Sequence, residues 1–182
     1  MDFKKEIKDQ FKFKDLELLK KNNFYKFLNK ENSVAICLRQ NRFIEGNNQN
    51  NIENKKKSDQ FSIEQIDYIN KAVLYLKDKL PKPIFFLWSN DFSNIPYDKF
   101  NFKFQKIELK NDTLKIDKRI ENLFLLSNCK HFIVIPSTFN WWGAWLSENK
   151  DKIILRPSNK FFSKFYINNL DFWPDEWIKI SR

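Results

Sequence analysis

Polar side chains that can hold a phosphorylated ligand follow three short apolar runs of this sequence. An arginine guanidinium can bind a phosphate through two parallel, charge-assisted hydrogen bonds. Hydroxyl groups and unpaired backbone N–H groups ahead of a helix also attract anions. A serine and an aspartate after the middle run complete a polar set of the kind that binds nucleotides. The residues concerned are Arg39, Ser89, Asp91, Ser137 and Thr138.

Each of these residues also has an ordinary structural interpretation. Arg39 can form a surface salt bridge, and Ser137 with Thr138 can cap the helix that follows them. Asp91 can hold an Asx turn, or it can accept the two parallel N–H groups of a guanine edge. The residue types alone leave these alternatives open.

Two further features have a structural interpretation beside a functional one. On a helix, the segment Trp141–Trp145 would place Trp141 and Trp145 on one face, either as core or as a platform for a sugar or base. His131 precedes an apolar strand, and we expect a hydrogen-bonded structural residue rather than a base.

The strands that would carry the polar set are predicted from short apolar runs bounded by polar residues. Four runs predict buried strands, and a fifth stretch alternates like a half-exposed strand. The buried strands are predicted at 33–38, 84–88, 132–135 and 153–155, and the half-exposed strand at 102–109.

Helices are predicted between these strands. A capping box at Ser62–Gln65, followed by apolar residues at three- and four-residue steps, predicts an amphipathic helix up to Pro81. Further helices are predicted from Asp117 and from about Phe139. The interval 47–60 has no periodicity and is predicted to be a mobile insertion.

Strands that alternate with helices indicate an α/β fold, with a Rossmann-like parallel sheet and flanking helices. In such sheets ligands bind at the carboxyl ends of the strands, so one crevice would gather the polar set. We expect a helical N-terminal segment over residues 1–32 and one ligand-binding domain over residues 33–182.

The composition favours anionic partners without marking a site. Among 182 residues, 33 are basic and 23 are acidic, which gives a net charge of +10. Only five of the basic residues are arginine, and the excess of lysine is spread over the whole chain. A role in nucleic-acid binding rests on net charge alone, and we expect no nucleic-acid partner.

Metal binding and membrane insertion are not expected. Cys37, Cys129 and a single histidine lack the spacing of metal ligands, and free thiols indicate a reducing cytoplasm. No apolar run reaches the roughly 18 residues of a membrane span, and the N-terminus has no secretory apolar core. We expect a cytoplasmic protein, for which peripheral association with the membrane stays open.

The segment Glu121–Leu146, ENLFLLSNCKHFIVIPSTFNWWGAWL, closely resembles the signature of glycosyltransferase family 11, the α-1,2-fucosyltransferases. The stretches FFLWSND at 85–91 and WPDEWIKI at 173–180 are similar to the same family. The resemblance covers about residues 33–180, in the family's order.

This resemblance implies an inverting, metal-independent transfer of fucose from GDP-fucose to the 2-hydroxyl of a galactoside. It implies a two-domain GT-B scaffold, of which residues 33–182 match the donor-binding half. GDP-fucose is then the donor substrate, a glycan is the acceptor, and no cofactor is required. The acceptor half is not found in this sequence, so a second subunit could supply it.

The resemblance also implies roles for individual residues. Arg39 would hold the β-phosphate and stabilise the leaving group, while Ser137 and Thr138 would help to hold the diphosphate. Asp91, with Ser89 in the same loop, would lie near the guanine. The family's H-x-R-x-G-D loop falls on residues 37–42 and keeps only its arginine.

The acid of that loop falls on Arg42, and the catalytic base is not assigned. These departures leave a second interpretation open, namely a degenerate, non-catalytic module that binds a GDP-sugar or a partner.

Overall fold

The computed structural model describes residues 3–30, 32–44, 51–109, 114–168 and 171–182. The helices within these ranges are α1 Phe3–Gln10, α2 Leu16–Leu19, α3 Tyr25–Leu28, α4 Ile52–Lys79, α5 Lys118–Ser127 and α6 Thr138–Leu146. The strands are β1 Ser33–Leu38, β2 Ile84–Ser89, β3 Gln105–Lys106, β4 His131–Ile133, β5 Ile154–Pro157 and β6 Ile178–Ile180. Short 3₁₀ turns lie at Tyr97–Lys99 and Asn159–Phe161.

The strands form one parallel sheet in the order β3-β2-β1-β4-β5-β6. This confirms the predicted α/β fold with a Rossmann-like sheet. The chain passes from β1 through α4 to β2, and from β4 through α6 to β5, in opposite directions along the sheet. Since crossovers between parallel strands are right-handed, α4 and α6 lie on opposite faces. The strand order therefore reverses between β1 and β4.

Strand β1 lies at the centre of the core. All six of its residues are buried, because helices cover both faces of the sheet and a strand pairs with each edge. A continuous apolar run is what such a position selects. The polar exception, Ser33, is satisfied: its hydroxyl donates to the Leu28 carbonyl at 2.5 Å and accepts from the Lys130 N–H at 3.0 Å.

The four predicted buried strands are confirmed as β1, β2, β4 and β5, with ends that differ by one or two residues. The helix from Asp117 is confirmed as α5, and its N-cap carboxylate accepts from the Arg119 N–H at 2.8 Å. The predicted helix near Phe139 is α6.

The predicted insertion over 47–60 is wrong for residues 52–60, which are the first turns of α4; residues 47–50 lie outside the described part of the chain. The helix begins at an N-cap that sequence periodicity did not reveal, Asn51, whose side chain accepts from the Asn54 N–H at 3.1 Å. The capping box predicted at Ser62 is therefore internal to α4.

Charged residues stabilise these early turns of α4 without producing an apolar stripe. Lys57 and Glu53, one turn apart, form an ion pair at 2.7 Å, and such pairs support exposed helices. Ser58 and Phe61 are buried, and the Ser58 hydroxyl accepts from the Phe43 N–H at 2.9 Å. The apolar signal in the sequence starts only where the helix reaches the sheet.

The half-exposed strand predicted at 102–109 is largely wrong. Only Gln105 and Lys106 pair with β2, as the edge strand β3. The alternating aromatic residues pack against one another instead, with the ring of Phe102 5.7 Å from that of Phe104 and 5.1 Å from that of Phe85. The short edge strand β6 was not predicted from the sequence.

Helices α5 and α6 pack closely where α6 has a glycine. A Cβ at position 143 would lie 2.8 Å from Cγ of Leu126 and closer still to its Cδ2. Leu126 is fully buried, so its side chain has no solvent space into which to move.

We expect Gly143→Ala to lower the free energy of unfolding. Overpacking a core costs about 1–3 kcal/mol, against a helix-propensity gain of about 1 kcal/mol for alanine. Urea denaturation measures the difference. In a Leu126→Ala background the same substitution should become neutral or stabilising; an equal loss in both backgrounds would contradict the assigned contact.

Candidate functional site

A cleft opens at the carboxyl edge of the sheet, where the strand order reverses. It has two adjoining chambers, of about 340 Å³ and about 250 Å³. Arg39, Ser137 and Phe139 line both chambers and so lie between them. Ligands of doubly wound sheets bind at this reversal point. The structure thus brings together Arg39 and Ser137, two of the residues that the sequence predicted to meet.

The larger chamber extends from Arg39 toward β2 and α5. Trp88, Ser89 and Asn90 line it from the end of β2, and Lys118, Arg119 and Asn122 line it from the first turns of α5. The smaller chamber is bounded mainly by Arg42, Thr138, Phe165, Ile167 and Phe172.

Ser137 is the N-cap residue of α6, but its hydroxyl accepts no hydrogen bond from the first turn of that helix. Its carbonyl accepts from the Trp141 N–H at 3.0 Å, so the helix begins regularly behind it. The amino terminus of a helix carries partial positive charge and unpaired N–H groups. The Ser137 side chain therefore does not cap α6, and the residue lines the cleft.

Asp91 has the contacts of an Asx turn. One carboxylate oxygen accepts from the Ser93 N–H at 2.8 Å and from the Ser93 hydroxyl at 2.5 Å, and the other accepts from the Asn41 amide at 3.1 Å. The Ser93 hydroxyl, then the Ser93 N–H and the Asn41 amide, hold the pKa of Asp91 below its ordinary value. The contact of Asp91 with guanine stays a prediction.

Ser89 supports the same turn. Its hydroxyl donates to the Asp91 carbonyl at 2.7 Å and accepts from the Asp91 N–H at 3.2 Å, while the residue lines the larger chamber. These bonds order the loop after β2, and they join it through Asn41 to the loop after β1.

Two cations at the start of α5 were missed by the sequence reasoning. Lys118 and Arg119 line the larger chamber opposite β2. The guanidinium of Arg119 pairs with the Asp117 carboxylate and lowers the pKa of Asp117 to about 2. The signal that could have found them is the predicted N-cap at Asp117. In a parallel sheet the helix that leads to the next strand begins near the carboxyl edge, where the cleft lies.

Several conspicuous residues are structural. Burial raises the pKa of the Cys37 thiol well above its ordinary value, which disfavours the nucleophilic thiolate at this cleft residue. The Trp141 indole N–H donates to the Phe172 carbonyl at 2.7 Å, and its ring stacks on Trp145 with centroids 6.0 Å apart. His131 accepts from the Ile153 N–H at 3.1 Å, as its structural interpretation predicts.

The carboxyl end of α6 is held by a lysine. Lys152 donates to the Ala144 carbonyl at 3.2 Å and to the Ser147 carbonyl at 2.5 Å. Desolvation, with Lys8 nearby, lowers the pKa of Lys152 to about 8. A cation at this end complements the helix dipole whose positive end faces the cleft.

A family model described as glycosyl transferase family 11 matches residues 2–181. An alpha-1,2-colitosyltransferase of Escherichia coli is 29% identical over 117 residues, which are 63% of this chain and 39% of that protein. The O-antigen biosynthesis glycosyltransferase WbnK of Escherichia coli is 29% identical over 115 residues, 63% of this chain and 36% of that protein. The match thus spans less than half the length of these relatives.

None of the helices within the described ranges is both long enough and apolar enough to cross a membrane.

We expect Ser137→Ala to leave the free energy of unfolding nearly unchanged. Loss of a side chain that caps a helix costs about 1 kcal/mol in general, but this hydroxyl makes no cap bond. Asp117→Ala, at the N-cap of α5, is the matched control and should destabilise the protein clearly. Urea denaturation compares the two, and equal losses would restore the capping interpretation of Ser137.

We also expect the free energy of unfolding to rise with pH above about 8. In the unfolded chain Lys152 regains the ordinary lysine pKa of about 10.4, so between these values the unfolded state binds more protons than the native state. The rise should be absent in Lys152→Met and present in Lys150→Met, which changes an exposed lysine. Urea denaturation at pH 7.5, 8.5 and 9.5 measures it; parallel curves for wild type and Lys152→Met would contradict it.

Proposed function

The chain belongs to glycosyltransferase family 11, and on that premise we propose that it transfers fucose from GDP-fucose to the 2-hydroxyl of a galactoside. The transfer is inverting and needs no metal. The observation that carries this proposal is the convergence of Arg39 and the amino terminus of α6 on one point of the cleft. A diphosphate bound at that point would meet a guanidinium from one side and helix N–H groups from the other.

The chemistry requires stabilisation of the leaving group. As the bond from the fucosyl C1 to the β-phosphate breaks, negative charge develops on GDP and the sugar becomes oxocarbenium-like. Preorganised donors aimed at that charge lower the barrier, and removal of one typically costs about 10²–10³ in rate. Arg39, the Ser137 and Thr138 hydroxyls and the α6 N–H groups fill this role in the proposal. No residue is assigned as the base that deprotonates the acceptor hydroxyl.

The two chambers suggest how the donor lies. A diphosphate between them would direct the nucleoside into one chamber and the hexose into the other. The nucleoside, which is the larger group, fits the chamber of about 340 Å³, and the hexose fits the chamber of about 250 Å³. Phe165 and Phe172 give the smaller chamber an apolar wall suited to the methyl group of a 6-deoxy sugar.

The nucleoside's surroundings in this proposal are the ends of β2 and α5. Ser89, Asn90 and Asn122 offer hydroxyl and amide groups to a base or ribose, and Lys118 adds a cation. Asp91 enters the proposal mainly through the turn that it stabilises, which orders Ser89 and Asn90.

The similarity to the two relatives supports an α-1,2 linkage and a glycan acceptor, because one is named an alpha-1,2-colitosyltransferase and the other an O-antigen biosynthesis glycosyltransferase. The aligned part is 39% and 36% of their lengths. Acceptor binding is accordingly proposed to need a further surface, either on a second subunit or on additional chain.

We expect Arg39→Ala to weaken GDP binding by roughly tenfold or more while GMP binding changes little, because a charge-assisted bond to the β-phosphate is lost. Isothermal titration calorimetry with GDP, GMP and ADP measures this. Arg182→Ala, which removes the same charge from an exposed position, is the control. Equal losses for GDP and GMP would remove Arg39 from the β-phosphate.

Transfer and hydrolysis assays with GDP-fucose then separate an enzyme from a binding module. Release of GDP that depends on a galactoside supports the proposal. Tight GDP-fucose binding without turnover, whichever galactoside is supplied, would indicate the non-catalytic module. Binding to an oligonucleotide that falls steeply with salt, without nucleotide preference, would indicate bulk charge attraction.

A further inference from the structure

The side-chain amide of Gln65, on α4, forms hydrogen bonds with both backbone polar groups of Arg39. Its Oε1 accepts from the Arg39 N–H at 2.9 Å, and its Nε2 donates to the Arg39 carbonyl at 2.9 Å. The same Nε2 donates to the Phe61 carbonyl at 3.2 Å. These bonds determine the orientation of the amide. Exchange of its O and N atoms would place the NH₂ group against the Arg39 N–H and the oxygen against two carbonyl oxygens.

The Gln65 amide lies in the buried core, among apolar side chains. Gln65 is fully buried, as are its neighbours Ile66 and Ile69 on the same helix. Burial of an amide is unfavourable unless its groups are hydrogen-bonded, so a buried glutamine needs specific partners. Both of its oxygen and nitrogen ends find one in Arg39.

The bonds of Gln65 begin where the strand pairing ends. The last β1 residue in a strand pair is Leu38, opposite Ser89 on β2, so Arg39 is the first residue after the paired strand. A side-chain amide has the donor and acceptor geometry of a peptide group. Gln65 therefore extends the ordered backbone by one residue beyond the strand, up to the residue that faces the cleft.

Asn90 treats the next residue in the same way. Its Oδ1 accepts from the Gln40 N–H at 2.8 Å, and its Nδ2 donates to the Gln40 carbonyl at 3.2 Å. Asn41 then adopts a left-handed conformation, with φ of 60°. Side-chain amides thus hold the backbone N–H and carbonyl of both Arg39 and Gln40, immediately before Asn41.

We infer that Gln65 is a positioning residue of the anion site: its amide fixes the backbone of Arg39 and so directs the guanidinium toward Ser137 at the amino terminus of α6. The inference rests on the proposed function for its ligand, a diphosphate. It concerns the chain's own geometry, however, and inorganic pyrophosphate can probe it without a nucleotide.

The test compares two substitutions of buried residues on α4. Gln65→Met keeps the side-chain length and removes both bonds to Arg39. Tyr68→Phe removes a buried hydrogen bond from the same helix to the Leu155 carbonyl, at 2.8 Å, on β5. Urea denaturation of both variants measures the general cost of losing a buried bond, and calorimetry measures the affinity for pyrophosphate.

We expect Gln65→Met to weaken pyrophosphate binding roughly tenfold, the effect of misplacing one hydrogen bond to a charged group. Tyr68→Phe should leave the affinity unchanged. In an Arg39→Ala background Gln65→Met should have no further effect, because the two residues act as one unit. If the methionine variant does not fold, Gln65→Leu, which also removes both bonds to Arg39 and adds no charge, takes its place with the same expectation.

Three results would overturn the inference: unchanged pyrophosphate affinity in folded Gln65→Met, an equal loss in Tyr68→Phe, or a full loss that persists in the Arg39→Ala background. Wild-type protein that binds pyrophosphate but neither GDP nor GDP-fucose would overturn the proposed function and leave the inference standing. Wild-type protein that binds none of the three would overturn both.

Discussion

Strand β1 is the constraint on which the rest of the molecule depends. It is buried on both faces and hydrogen-bonded at both edges, so neither its position nor its register can change without breaking two strand pairings. The chain leaves the carboxyl end of β1 in one direction along the sheet and that of β4 in the other, so the loops after these two strands diverge. The cleft therefore exists because of the sheet's connectivity, and Arg39 reaches it because it is the first residue after the strand.

Much of this arrangement could be predicted, because burial on two faces leaves a simple mark in a sequence. The run at 33–38 is continuously apolar, and the polar residue after it marks the edge of the sheet. The same logic located the ends of β2 and β4. Since parallel strands end at one edge, the proximity of Arg39 to Ser137 followed from topology, without knowledge of any contact.

The limits of prediction also have physical causes. The first turns of α4 extend past the sheet and need no apolar stripe, because their cap, an ion pair and the bond from the Phe43 N–H to the Ser58 hydroxyl support them. The carboxylate of Asp91 could serve equally well in an Asx turn or as an acceptor for guanine. The positions of Asn41 and Ser93 show that both of its oxygens already accept hydrogen bonds. The bond from Gln65 to Arg39 joins residues 26 positions apart, and nothing in the local pattern distinguishes that glutamine from a surface one.

The length of α4 has an electrostatic consequence. Gln65 lies level with Arg39, and the helix begins thirteen residues earlier, at Ile52, so at 1.5 Å per residue it extends about 20 Å further along its axis. The outer part of that extension, residues 52–58, carries three consecutive lysines, at 55–57, against one acid, Glu53, and ends in a positive dipole, while Asp59 and Glu64 follow nearer Gln65. A diffusing anion would therefore meet an attractive field at the outer end of α4, before it reached the cleft. The rate of capture would then depend on ionic strength, because salt screens this field beyond a Debye length of about 8 Å under physiological conditions. The final affinity need not show the same dependence.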